Sequence, residues 1–135
     1  MIEHVTHIRV RYGETDTMGF VYYGNYPLYY EVGRTELMRS LGIPYKILED
    51  KGIILPVTKM EATYYAPAKY DDLLTIKTRI EKRPGVRITF HYLVYREDSL
   101  LNEGTTVLAF TDAKQNRPLR PSDELESLWD KYFKR

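Results

Sequence analysis

The sequence predicts an α+β domain in which one long helix lies against an antiparallel sheet. Three observations carry this reading. A stretch near the N-terminus alternates in polarity, one segment then repeats its apolar residues every three or four positions, and after Gly52 four more stretches alternate.

The first stretch places Thr6, Ile8, Val10 and Tyr12 on one face and His7, Arg9 and Arg11 on the other, as a half-buried strand requires. Two glycines, Gly13 and Gly19, then bracket a polar segment that cannot continue the strand cheaply, so it reads as a loop. Asn25 and Pro27 open the long helix, whose stripe is Tyr26, Tyr30, Gly33, Leu37 and Leu41, and Gly42 and Pro44 close it. A shorter helical piece runs from Tyr45 to Lys51. Strands follow over Val57 to Tyr65, Leu73 to Glu81, Arg87 to Tyr95 and Leu101 to Thr111. The third alternates most cleanly, with Ile88, Phe90, Tyr92 and Val94 on one side. Turn signals at Pro84-Gly85 and Glu97-Asp98 join them, and the last four strands read as an antiparallel meander. A final helix begins near Ser122 or Asp123, with Asp123 and Glu126 placed for a capping box and Leu125, Leu128, Trp129 and Tyr132 on its stripe.

At 135 residues the chain accommodates one domain, residues 1–135, because two cores would leave each half near the lower limit for unaided folding. A single helix covers only part of one sheet face. Burial against a second copy of the chain is the economical solution, so a homodimer is expected.

Twenty Lys and Arg residues balance nineteen Asp and Glu, and the net charge of +1 argues against nucleic acid as a partner. Cysteine is absent, which removes thiol nucleophiles, disulfides and thiolate metal sites. No strictly apolar run exceeds four residues and the first residues carry no secretory pattern. No membrane insertion is expected, and the cytoplasm is the expected location. Thirteen tyrosines stand out, five of them at 22, 23, 26, 29 and 30. Such side chains suit a core rim or an interface.

Phosphate-binding glycine loops, His-Glu-x-x-His and a Gly-x-Ser-x-Gly elbow are all missing. The three histidines show no carboxylate spacing of a metal cluster, and neither a metal nor a cofactor is expected. The loop before the helix is different. It holds Asp16, then Gly19, then Tyr22-Tyr23-Gly24-Asn25, and it runs into a helix start whose first amides lack intrahelical acceptors. An acid beside an anion-stabilising helix start suits acyl transfer. On pattern alone, a plain turn role for Asp16 is the commoner use of such a residue.

The run Arg11-Tyr12-Gly13-Glu14-Thr15-Asp16-Thr17-Met18-Gly19-Phe20-Val21-Tyr22-Tyr23-Gly24-Asn25-Tyr26, continuing through Glu31-Val32-Gly33-Arg34-Thr35-Glu36-Leu37, resembles the signature of the 4-hydroxybenzoyl-CoA thioesterase family. That family has the hotdog fold, a five-stranded antiparallel sheet wrapped around one long central helix, and includes the Tol–Pal-associated acyl-CoA thioesterases. Tyr65-Ala66-Pro67-Ala68-Lys69-Tyr70-Asp71-Asp72 resembles its Pro-Ala-x-x-Asp turn. The resemblance implies an acyl-CoA thioester hydrolase in which Asp16 carries the chemistry and the backbone amide of Tyr23 polarises the thioester carbonyl. One such donor is worth on the order of 3 kcal/mol of barrier. Asp16 would either attack the carbonyl or activate water, a choice the sequence leaves open. Many members of the Tol–Pal-associated group carry His at the position of Tyr23; Tyr there is reminiscent of the aromatic-acyl branch, and the acyl preference stays open between short-to-medium aliphatic and aromatic.

Gly19 and Tyr26 are candidate substrate contacts, the latter because the acyl group in this fold lies beside the helix. Arg83 and Arg87, with Lys82, flank the Pro84-Gly85 turn and are candidates for the coenzyme A phosphates, a solvated hairpin end being the equal alternative. The resemblance also implies a site shared between protomers of a homodimer or homotetramer. A non-catalytic acyl-CoA binder on the same fold is the alternative function, which the presence of Asp16 disfavours. A hotdog dehydratase would need a His on the helix, and none lies between Asn25 and Leu41.

Overall fold

A computed structural model describes residues 1–135. Strand β1 (Ile2–Arg9) leads into α1 (Tyr26–Ser40) and α2 (Tyr45–Asp50), followed by a short β2 (Ile53–Ile54). Then come β3 (Val57–Tyr64), β4 (Leu73–Ile80), β5 (Arg87–Arg96), β6 (Ser99–Ala109), short β7 (Thr111–Asp112) and β8 (Arg117–Pro118), and α3 (Asp123–Asp130). The main sheet is five-stranded and antiparallel in the order β1-β4-β5-β6-β3. The α+β reading with one long helix against this sheet is correct.

Helix α1 seats Tyr26, Tyr29, Tyr30, Gly33, Arg34, Leu37 and Met38 on the sheet, where Leu74, Ile76, Ile88, Phe90, Tyr92 and Val94 face it. The alternation read in β5 therefore faces the core as expected. Each large apolar side chain buried here contributes about 1.5–3 kcal/mol. Two glycines set how closely the layers approach. A Cβ on Gly33 would collide with Thr78, and one on Gly104 would collide with the Tyr30 ring. Arg34, the charged member of the stripe, is 7% exposed and donates from Nε to the Tyr45 hydroxyl at 3.1 Å.

Three expectations need correction, and one small sheet is additional. The last four strands are not one meander: only β4, β5 and β6 follow in order, while β3 crosses to the far edge and pairs with β6. A turn signal reports a reversal of the chain, not which edge the next strand joins. The small sheet β2-β7-β8 was not anticipated, since runs of two residues carry no alternation. Strand β1 ends at Arg9, and Tyr12 lies 76% exposed in a 3-10 turn, because the Glu14 carboxylate captures the Arg11 amide at 2.8 Å and folds the chain away from the sheet. Helix α3 is capped by Ser122, whose Oγ accepts from the Leu125 amide, and it ends before Tyr132, which stays exposed.

The inner face of the sheet is covered except at β3. That strand is exposed along nearly its whole length, Val57, Met60 and Tyr64 included, and one of its edges has no partner strand.

Candidate active site

Asp16 sits where the chain doubles back between β1 and α1. Thr15 and Val21 form an antiparallel bridge, the Asp16 amide donates to the Phe20 carbonyl at 2.8 Å, and the Gly19 amide donates to the Asp16 carbonyl at 3.0 Å. Gly19 adopts φ +82°, which only glycine enters without strain, so its place in this site is to close the turn. The Asp16 side chain works within the same loop. Its Oδ1 accepts the amides of Met18 at 2.9 Å and Phe20 at 3.3 Å, while Oδ2 has no hydrogen-bond partner in the chain. One oxygen thus holds the carboxylate in place and the other is unbonded.

Tyr23 opens a 3-10 turn, Tyr23–Asn25, that runs straight into α1. Its amide has no acceptor within the protein, as geometry at a helix start dictates. Its carbonyl accepts the Tyr64 hydroxyl at 3.1 Å. Its ring is 65% exposed and leans on Tyr22, with centroids 4.8 Å apart.

Asp16 and Tyr23 line one open cavity of about 350 Å³. Phe20, Tyr26, Tyr64 and Tyr65 supply the aromatic part of its apolar wall, together with the Tyr23 ring. Tyr26 is almost fully buried and meets Tyr64 edge to face at 5.3 Å; burial pushes its phenol above the ordinary tyrosine range, so it stays neutral. A carboxylate with a free oxygen, an unpaired amide at a helix start and an aromatic cavity are the parts that acyl transfer needs. Two other depressions, a wider one of about 420 Å³ where Leu41 and Ile43 meet Glu124 and Lys131 of the α3 region and one of about 210 Å³ on the sheet among Glu61, Arg79, Glu81, His91 and Glu103, have far fewer apolar walls.

The two arginines lie apart from this cavity. Arg83 is held by Glu126 at 3.1 Å and Asp130 at 2.9 Å and donates to the Phe133 carbonyl, so phosphate binding would require it to leave α3. Arg87 starts β5, whose other end lies beside Tyr64 through Val94 and Asn102, about 23 Å away at ~3.3 Å per residue. The sequence reading missed Tyr64, Tyr65 and Glu14. Nothing in the alternation of β3 marks Tyr64 at its end or Tyr65 just beyond it, whereas the Arg11-x-x-Glu14 spacing is a legible sign of a capped turn.

Over residues 10–128 the sequence matches the thioesterase-like superfamily. The chain belongs to this superfamily. It is 36% identical over 112 residues to the acyl-CoA thioester hydrolase YbgC of Escherichia coli, covering 82% of this chain and 84% of that protein. It is 30% identical over 121 residues to the acyl-CoA thioesterase YbgC of Haemophilus influenzae, covering 89% of each. Among solved structures, the DHNA-CoA thioesterase of Staphylococcus aureus superposes with a TM-score of 0.92 at 32% identity, covering 97% of this chain and 91% of that one. The superfamily's hotdog architecture is the one described above, with α1 as the central helix.

Proposed function

We propose that residues 1–135 form one thioesterase unit, an acyl-CoA thioester hydrolase that works through Asp16 and the amide of Tyr23. The single observation that carries this is the split use of the Asp16 carboxylate beside an unpaired helix-start amide. The thioester carbonyl oxygen would accept from the Tyr23 amide, and the helix dipole adds to the field that stabilises the developing oxyanion. Asp16 Oδ2 then attacks the carbonyl carbon, expelling CoA thiolate and leaving a mixed anhydride that water cleaves. In the other course, Oδ2 takes a proton from water as that water attacks. Both yield free acid and CoA.

The aromatic wall admits a short-to-medium aliphatic chain or an aromatic acyl group, with Tyr26 at its inner side. Arg87 is exposed and has no carboxylate partner, which supports a contact with CoA phosphates, whereas Arg83 would have to exchange Glu126 and Asp130 for them. The exposed strand β3, with its free edge, supports a homodimer or a tetramer built from it. No helix is long and apolar enough to cross a membrane. A cytoplasmic location, where CoA esters turn over, completes the reading. A panel of aliphatic and aromatic acyl-CoA esters with thiol release as readout tests it. Binding without release would instead favour a non-catalytic acyl-CoA binder.

A further inference from the structure

Glu14 is the most heavily bonded carboxylate near the cavity, and the mechanism above makes no use of it. Its Oε1 accepts the Arg11 amide at 2.8 Å and the Tyr29 hydroxyl at 3.0 Å, and its Oε2 faces Arg11 Nε at 3.3 Å. Its own carbonyl accepts the Tyr22 amide at 2.9 Å and Asn25 Nδ2 at 2.8 Å. The side chain is 15% exposed. The residues that Glu14 holds on one side, Arg11 and its 3-10 turn, lead directly into Thr15 and Asp16. Those on the other, Tyr22, Asn25 and Tyr29, flank Tyr23 and carry the first turns of α1.

We infer that Glu14 is a positioning residue for thioester hydrolysis: it fastens the Asp16 loop to the start of α1 and so fixes the carboxylate relative to the Tyr23 amide. The inference rests on the reading of Asp16 and Tyr23 given above. Tyr29 is built for this contact, since burial and then the Glu14 carboxylate push its phenol far above the ordinary range, so it remains a donor. The contact spans 15 positions in sequence and is the side-chain half of a joint whose backbone half, the Glu14 carbonyl on Tyr22 and Asn25, persists in every Glu14 variant. A shift of about 1 Å between reacting groups costs on the order of a hundredfold in rate, which gives such a fastening catalytic weight without any touch on substrate.

The test compares kcat and KM for Glu14→Ala, Glu14→Gln, Tyr29→Phe and the double variant Glu14→Ala/Tyr29→Phe, with Asp16→Asn run in parallel. Gln keeps the Oε1 acceptor for Arg11 and Tyr29 and loses the charge. Expected are a kcat lowered about tenfold or more in Glu14→Ala with KM within about threefold, near recovery in Glu14→Gln, and a double variant no slower than Glu14→Ala alone. Equal damage from Gln and Ala, or independent multiplication of the two losses, overturns the inference. If Glu14→Ala does not fold, the near-isosteric Tyr29→Phe decides, and an unchanged kcat there overturns it. An inactive Asp16→Asn beside a fully active Glu14→Ala refutes this inference alone, whereas an active Asp16→Asn refutes the site reading and the positioning role with it.

Discussion

The hydroxyl of Tyr64, at the end of edge strand β3, donates to the carbonyl oxygen of Tyr23 at 3.1 Å, tying the strand exposed at the sheet edge to the turn that opens the central helix. Tyr64→Phe deletes that bond and keeps the aromatic wall. A neutral hydrogen bond contributes about 1 kcal/mol, so kcat is expected to fall by less than about tenfold with the fold intact by circular dichroism. A loss of a hundredfold would mean that the phenol meets substrate directly.

Tyr23→Phe separates backbone from side chain at the other end of the same contact. With the amide as the working group, removal of the hydroxyl changes kcat by less than about tenfold, or 1.4 kcal/mol, in steady-state thiol release. A larger loss assigns the phenol a chemical part.

Gly33→Ala probes the packing that holds α1 in register with the site. The added Cβ meets Thr78 and Ile76, and overpacking a well-filled core costs about 1–3 kcal/mol. A thermal melt should show a drop of several degrees, of the order of 3–4 °C per kcal/mol for a domain of this size. An unchanged midpoint would show that the helix can lift off the sheet freely.

Alkaline stability follows from the buried tyrosines. Burial pushes Tyr92 up from 10.0 to about 12, and burial likewise raises Tyr29 and Tyr30. A raised folded pKa means the unfolded chain loses its proton first, so this stability is whole below pH 10 and is lost as pH rises toward 12. Each such group adds a slope of about 1.4 kcal/mol per pH unit in that window. Urea melts between pH 9 and 12 should show it, with a shallower slope in Tyr92→Phe; equal slopes would contradict the assignment.

The sequence was most legible where one element has one face. The α1 stripe and the β5 alternation each report burial directly, and Tyr26, Tyr30, Gly33 and Leu37 sit on the core as read. Strand order was not legible, because β3 and β4 look like hairpin neighbours in sequence while pairing depends on which edges remain free once β1 has joined β4. Arg83 looked free beside a turn because its partners Glu126 and Asp130 lie far along the chain. At Asp16 a turn role and a chemical role had looked like rivals. The geometry gives one oxygen to the turn and leaves the other unbonded, so the two roles are compatible.

Thiol release from acyl-CoA by Asp16→Asn, at wild-type folding, tests the central claim most directly. Asparagine keeps the Oδ1 acceptor for the Met18 and Phe20 amides, so the loop persists while the carboxylate is gone. The expected result is a fall in kcat of at least about a hundredfold with an unchanged circular dichroism spectrum. Turnover at the wild-type rate would contradict the account, because hydrolysis would then proceed without the one carboxylate oxygen left free in the cavity.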